Sequence, residues 1–161
     1  MRKMFGVVLL FLLGISSALA DKQADFQLRI GAGALHILEH DQTGLGKIDY
    51  LIRPLTRYQL IPVFGYWATG TKDQYLHAGF EKHFSVADDI SLFIGLAVGS
   101  YIDQDGVDLG HDLEFQSRIG LSYYLDDDQA LDLELGHLSN ARISDLNPGT
   151  EFASFSYRHL W

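Results

Sequence analysis

Six residues near the end of the chain have the types and spacing of an acyl-transfer site. They are His137, Ser139, Asn140, Asn147, Gly149 and Glu151. A histidine close to a serine can act as its general base, and a carboxylate can orient the histidine. Amide groups can stabilise the oxyanion that forms when an ester is attacked. Residues 136–151 therefore contain a base, a hydroxyl nucleophile, amides and a carboxylate, the groups that acyl transfer needs.

The two reactive side chains lie on an unusual face. His137 and Ser139 continue an alternation whose earlier members are Leu131, Leu133 and Leu135. Residues two apart in a strand point to the same side of the sheet. The site is therefore expected on an apolar face, which a soluble enzyme would bury in its core and a membrane barrel would turn towards lipid.

The first twenty residues have the features of a secretory signal peptide. Arg2 and Lys3 form a basic start, an apolar run covers residues 5–15, and Ser17–Ala20 ends in a small-residue cleavage pattern. The apolar run is shorter than the ~20 residues that a spanning helix requires. The sequence thus predicts a signal peptide over residues 1–20 and a single domain over residues 21–161.

Charge and cysteine content exclude several classes of function. Removing Arg2 and Lys3 from the 12 basic residues leaves 10 against 21 acidic residues, a formal charge of −11. Nucleic-acid binding needs clustered Lys and Arg, so a nucleic-acid partner is not expected. With no cysteine, the chain cannot form a disulfide framework, a thiol nucleophile or a thiolate metal site.

The chain after the signal peptide divides into about eight segments of similar length, nearly all with one clearly apolar face. They cover about 25–34, 47–53, 58–69, 74–84, 90–102, 113–125, 130–139 and 151–161. The connections after the first, fifth and seventh segments are long, and those after the fourth and sixth are short. Outer-membrane barrels have this asymmetry, and their final strand ends in an aromatic residue, as Trp161 does here. We therefore predict an all-β fold, an eight-stranded antiparallel outer-membrane β-barrel.

A soluble eight-stranded barrel of the lipocalin kind is the main alternative. Its outward face would be charged, whereas the polar face here carries few charges per strand, of both signs, which can pair inside a barrel. That face is also rich in small residues, which suit a narrow interior. Both features favour the membrane barrel. The small residues are Gly31, Gly33, Gly95, Ala97, Gly99, Ser122, Gly136, Ser154 and Ser156.

In a membrane barrel the site would lie on the outer wall. In an even-stranded barrel both chain termini are periplasmic. The seventh strand therefore runs from the periplasm towards the cell surface, and the loop after it lies at that surface. His137 and Ser139 would have Cα atoms ~6.5 Å apart on one face. If the last hairpin closes symmetrically, Glu151 lies opposite Ser139 and diagonal to His137, still within ~8 Å. Asn140, Asn147 and Gly149 are candidate amide donors for the oxyanion.

The motif His137-Leu138-Ser139-Asn140-Ala141, with Asn147, Gly149 and Glu151 after it, resembles the PagL family of lipid A 3-O-deacylases. The resemblance implies an eight-stranded outer-membrane barrel with Ser139 as nucleophile, His137 as general base and Glu151 as its orienting acid. It implies hydrolysis of the ester that joins a 3-hydroxyacyl chain to the 3-position of lipid A. No metal or organic cofactor is implied, and the partners are lipid A, or lipopolysaccharide, and the lipid of the outer membrane. Pro148, between Asn147 and Gly149, is not one of the positions that carry the resemblance, and it would stiffen the loop.

Two other readings of the chain stay open at this point. The barrel could be a non-catalytic adhesin or structural protein with a degenerate site, or it could hydrolyse phospholipids. The sequence does not decide between a monomer and a homodimer.

Three further histidine-bearing features are expected to be unrelated to the chemistry. His36–His40 fits the H-x-x-E-H zinc pattern, which requires a helix that brings both histidines to one face. Here it runs from a strand into a loop, so no metal site is expected. His77 and His83 are expected to line the barrel or its mouth.

Overall fold

The computed structural model describes residues 24–161, except for the side chain of Thr56. The expected signal peptide, residues 1–20, lies outside the described residues. Eight antiparallel strands form a closed barrel in which each strand pairs with its sequence neighbours and β1 pairs with β8. The strands are β1 (Phe26–Leu35), β2 (Thr43–Ile52), β3 (Ile61–Thr69), β4 (Gln74–Ala87), β5 (Ile90–Ile102), β6 (Leu113–Tyr124), β7 (Gln129–Ser139) and β8 (Thr150–Leu160).

The predicted number and order of strands are confirmed, but some boundaries differ. Gly44 and Gly46 were expected in a loop, and they lie within β2, which begins at Thr43. Gly46 pairs with Ala32 on one side and Ala68 on the other. The hydrogen-bonded ladder on both sides outweighs the low strand propensity of glycine. A single 3-10 turn, Thr56–Tyr58, precedes β3. Over the described residues, no helix has the length and apolar character needed to cross a membrane.

The interior of the barrel is charged and the exterior is apolar. Arg29 is fully buried and donates to Asp132 at 2.7 Å and to Glu81 at 2.8 Å. Arg118 donates to the other oxygen of Glu81 at 3.0 Å, and Arg158 donates to Asp132 at 2.9 Å. Exposed apolar side chains cover the outer wall, including Ile30, Ile48, Leu96, Ile119, Leu133 and Phe155. This distribution is the reverse of a soluble barrel and confirms the predicted membrane type.

An apolar cluster closes the barrel at the end where β7 meets the loop 140–149. Leu109, from the loop 103–112 between β5 and β6, is buried in this cluster beside side chains from the strand ends. The loop between β5 and β6 is therefore folded over the lumen and brought next to the loop between β7 and β8. The cluster consists of Leu35, Leu45, Trp67, Tyr75, Tyr101, Leu109, Leu138 and Phe152.

Candidate active site

The imidazole of His137 faces the carboxylate of Glu151 across the last hairpin. The two residues are direct partners in the ladder between β7 and β8, and Nδ1 lies 3.2 Å from Oε1. The side chains are 43% and 36% exposed, on the outer wall. The sequence-based register was wrong here, because Glu151 was expected opposite Ser139. The actual register shortens the path from acid to base, since directly opposite residues have the closest Cβ atoms in a sheet.

Ser139 is the last residue of β7. It lies two residues after His137 on the same lipid-facing side, next to the loop 140–149. The ladder pairs His137 with Glu151 and Leu138 with Thr150, so Ser139 is level with Gly149. On its other side Ser139 pairs with Phe115 of β6. Its side chain is half-buried, and within residues 24–161 no hydrogen bond to its hydroxyl is found. Ser139 and His137 are therefore neighbours on one face of β7, but within residues 24–161 the imidazole is hydrogen-bonded to Glu151 and not to the Ser139 hydroxyl.

Gly149 leaves the space that the imidazole occupies. A Cβ at this position would lie 2.7 Å from Cε1 and 3.1 Å from Nε2 of His137. The backbone of Gly149 also has φ of 68°, in the left-handed region that glycine adopts without strain. The edge of the ring that carries Nε2 therefore faces the outer end of the hairpin, the level at which Ser139 lies.

Asn140 is a buried organiser of the loop rather than a free amide. Its Nδ2 donates to the carbonyl oxygens of Leu109 at 2.9 Å and Leu146 at 2.8 Å, and its Oδ1 accepts from the backbone N–H of Arg142. Both amide hydrogens are used, so the side chain has no donor left for an oxyanion. Asn140 was predicted as a candidate amide donor for the oxyanion, and this geometry favours a role in positioning the loop instead.

Asn147 has a free donor. The backbone N–H of Asn140 donates to Oδ1 of Asn147 at 3.0 Å. Because a backbone N–H can only donate, the atom that faces it must be the amide oxygen, and Nδ2 points away from this bond. Among the described residues no acceptor for Nδ2 is found. The side chain is half-buried and is held next to the residue that follows Ser139.

The loop between β7 and β8 is tied down by contacts that the sequence did not predict. Ala141 and Arg142 have φ of 53° and 66°, and Gly110 has φ of 86°. All three backbones are therefore in the left-handed region, which only glycine adopts without strain. A Cβ on Gly110 would lie 2.1 Å from the carbonyl oxygen of Leu146. The loop between β5 and β6 therefore packs closely against the site loop, through Gly110 and through the bond from Asn140 to Leu109.

A surface groove of about 350 Å³ adjoins His137 on the outer wall between β6 and β7. Its outward-facing side chains are Ser117, Ile119, Leu135 and His137. Ile119 and Leu135 are paired across the two strands below the histidine, on the side away from the loop. Sequence reasoning did not find Ser117 or the groove, because the residues come from strands that only the register brings together.

Four histidines outside the motif are either buried in the barrel or lie in the loop after β1. His36 is buried and lies within hydrogen-bond distance, 2.8 Å, of the Thr150 hydroxyl, while His40 is exposed in the loop after β1. No helix carries them. Across residues 24–161 there is no group of three or more His, Asp or Glu side chains that could hold a metal ion. His77 and His83 are buried in the barrel interior, as predicted.

The chain resembles known proteins in sequence and in fold. The family model described as "Lipid A 3-O-deacylase (PagL)" matches residues 44–159. This range includes all six residues of the motif. No curated protein matches the chain.

Solved structures share the fold. The crystal structure of the outer membrane enzyme PagL aligns with a TM-score of 0.63 at 20% identity, covering 82% of this chain and 97% of that one. The crystal structure of Neisserial surface protein A aligns with a TM-score of 0.64 at 14% identity, covering 86% and 98%. A de novo designed transmembrane β-barrel aligns with a TM-score of 0.64 at 14% identity, covering 88% and 98%. At these identities the structural matches establish the barrel alone.

Proposed function

The chain belongs to the PagL lipid A 3-O-deacylase family, and on that premise we propose that it is an outer-membrane esterase with a Ser-His-Glu triad. Its substrate would be lipid A, and the bond cleaved would be the ester of the 3-hydroxyacyl chain at the 3-position. The protein is an integral outer-membrane β-barrel. We place the site on its wall, towards the outer leaflet.

The observation that carries the proposal is the pair formed by His137 and Glu151 on the apolar wall. A carboxylate and an imidazole 3.2 Å apart, on a surface otherwise covered by aliphatic and aromatic side chains, are costly to place in hydrocarbon without a function. Both are partly exposed, so a lipid can reach them from the side. Polar groups in this position fit a substrate that arrives within the membrane plane.

The hydrogen-bond arrangement supports a defined role for each ring nitrogen. With its proton on Nδ1, His137 donates to Glu151, and Nε2 is left unprotonated as the base. Ser139 Oγ attacks the ester carbonyl carbon, and its proton passes to Nε2. The carbonyl oxygen becomes an oxyanion while Glu151 stabilises the imidazolium that has formed.

Asn147 is the best-placed side chain to stabilise that oxyanion. Its Oδ1 is fixed by the N–H of Asn140, the residue that follows Ser139, which leaves Nδ2 free to donate. A preorganised amide donor of this kind contributes about 3–4 kcal/mol to transition-state stabilisation. Asn140 would act indirectly, by holding the loop that carries Asn147.

Two proton transfers by the same base complete the cycle. The tetrahedral intermediate expels the oxygen of the sugar 3-position, which takes the proton from Nε2 and leaves as a hydroxyl. The hydroxyacyl group stays on Ser139 as an ester. His137 then takes a proton from water, the resulting hydroxide attacks the acyl carbon, and Ser139 leaves with the proton restored.

The groove between β6 and β7 fits the acyl chain that is cleaved. Ile119 and Leu135 extend it from His137 into the apolar band of the wall. An acyl chain lying along them would keep its contact with the bilayer while its ester reached Ser139. Phospholipids also carry ester-linked chains, so hydrolysis of phospholipid is a second activity to be measured.

Mass spectrometry of lipid A tests the proposed function. Cells producing the protein should lose one ester-linked hydroxyacyl chain from lipid A, and cells producing Ser139→Ala should not. Folding of both proteins is checked by heat-dependent migration in gels. An unchanged lipid A spectrum with folded wild-type protein would instead support a non-catalytic barrel, since the fold alone does not determine activity.

A further inference from the structure

Ser117 is a polar residue in an apolar row. The outward-facing residues of β6 are Leu113, Phe115, Ser117, Ile119, Leu121 and Tyr123, and all are exposed. Ser117 lies between Phe115 on the loop side and Ile119 on the other side. Its position is therefore within the apolar band of the wall rather than above it.

The hydroxyl of Ser117 has no hydrogen-bond partner among residues 24–161. Its neighbours on the same face of the strand are Phe115 and Ile119. A hydroxyl without a hydrogen bond is unfavourable in an apolar environment. A polar group on a lipid that reaches Ser117 from the membrane side would supply the missing hydrogen bond.

The register places Ser117 directly beside the proposed triad. Ser117 on β6 is the ladder partner of His137 on β7, and both line the same groove. His137 therefore has Glu151 on one side and Ser117 on the other. Ile119 and Leu135, the next outward pair, continue the groove away from the loop.

The position of the Nε2 edge of His137 favours Ser139 over Ser117 as the nucleophile. Nδ1 of His137 faces Glu151 on β8, and the Nε2 edge of the ring lies against Gly149 at the outer end of the hairpin. That is the level of Ser139, which follows the paired residue Leu138 on β7. Ser117 is at the level of His137 itself, on the β6 side.

We propose that Ser117 binds the hydroxyl group of the acyl chain through a hydrogen bond. This contact would make the site selective for 3-hydroxyacyl esters over acyl esters without that hydroxyl. The inference rests on the proposed deacylase function. The Ser117 Oγ hydrogen-bonds the C3 hydroxyl of the chain while the ester carbonyl lies at Ser139. The chain runs from Ser139 past Ser117 into the groove lined by Ile119 and Leu135.

The distance between the two serines fits this arrangement. Ser139 and Ser117 are diagonal neighbours on adjacent strands, so their side chains start about 7–8 Å apart. In the acyl chain the C3 hydroxyl oxygen lies about 3–4 Å from the carbonyl carbon, and a hydroxyl hydrogen bond adds about 2.8 Å. With the approach of the Ser139 Oγ to the carbonyl carbon added to this reach, an ester held at Ser139 can bring its C3 hydroxyl to Ser117.

Two synthetic substrates test the inference. They are monosaccharide lipid A analogues that differ only in whether the 3-O-acyl chain carries the C3 hydroxyl. The wild-type enzyme should have kcat/KM about tenfold or more higher for the hydroxylated analogue, as expected for one hydrogen bond at a desolvated site. Ser117→Ala should bring the ratio of the two kcat/KM values close to one, and Ser117→Thr should restore the preference, because it keeps the hydroxyl.

The controls separate this inference from the proposed function. Ser100→Ala removes another exposed serine, on β5, and should leave the ratio at its wild-type value. If the wild-type enzyme cleaves both analogues but Ser117→Ala keeps the wild-type ratio, the role of Ser117 is refuted and the deacylase function stands. If the folded wild-type enzyme cleaves neither, the deacylase function fails and the inference fails with it.

Discussion

His137 and Glu151 are direct ladder partners on β7 and β8, with Nδ1 of the histidine 3.2 Å from Oε1 of the glutamate. The contact joins adjacent strands of one hairpin, so it needs no loop to bring acid and base together. The ladder itself sets the orientation of the imidazole. The serine, by contrast, is the last residue of its strand and depends on the loop 140–149 for its surroundings.

Glu151→Gln tests the charge of the orienting acid. The amide keeps the size of the side chain but cannot stabilise the imidazolium, so kcat should fall by about a hundredfold or more, with little change in KM. Deacylation of lipid A by purified protein is the measurement. Glu39→Gln, which changes an exposed carboxylate in the loop after β1, should have wild-type activity. Wild-type activity in Glu151→Gln would remove the glutamate from the mechanism.

Asn147→Asp separates the two functions assigned to Asn147. The aspartate keeps an oxygen to accept from the Asn140 N–H, but it replaces the free amide donor by a negative charge next to the oxyanion. We expect kcat to fall by about a hundredfold to a thousandfold, while thermal stability stays near that of the wild type. Asn147→Ala should lower both kcat and stability. An aspartate variant with full activity would show that another group binds the oxyanion.

Gly149→Ala should displace the imidazole. The new Cβ would lie 2.7 Å from Cε1 of His137 and would also strain a backbone at φ of 68°. The ring must move, so we expect a large loss of kcat in a barrel that still folds. Gly44→Ala is the matched control, because a Cβ there meets nothing within 4 Å. Equal activity in the two variants would contradict the close packing of Gly149 on His137.

The barrel interior supports the wall without taking part in the chemistry. Arg29→Met would leave Glu81 and Asp132 short of their shared cation, and breaking a buried ion pair from one side costs about 3–5 kcal/mol. Urea unfolding in lipid vesicles should show this loss, and the folded fraction should keep its specific activity. Arg57→Met, at an exposed position before β3, should unfold like the wild type. Equal stability of Arg29→Met would show that the network adds nothing.

The sequence predicted the barrel well because its signal is local. Alternation within each segment identifies the two faces, and residues such as Arg29 and Ile30 lie on the sides that their polarity indicates. The extent of β2 was missed, because Gly44 and Gly46 are poor strand formers and only their partners on β1 and β3 reveal them.

The site was predicted in composition but not in register. A ten-residue loop does not determine how two strands align, so Glu151 was placed opposite Ser139 rather than His137. The connection from Asn140 to Leu109 and the pairing of His137 with Ser117 involve other strands and loops. No pattern along one segment carries such information. These contacts explain why Asn140 is better understood as a positioning residue.

The central claim is that Ser139 is the nucleophile of a lipid-facing triad. Its most direct test is the release of hydroxy fatty acid from purified lipid A by the purified, folded barrel and by Ser139→Ala and Ser117→Ala. We expect release by the wild type, no release by Ser139→Ala, and reduced but measurable release by Ser117→Ala. Release by folded Ser139→Ala at the wild-type rate would contradict the mechanism.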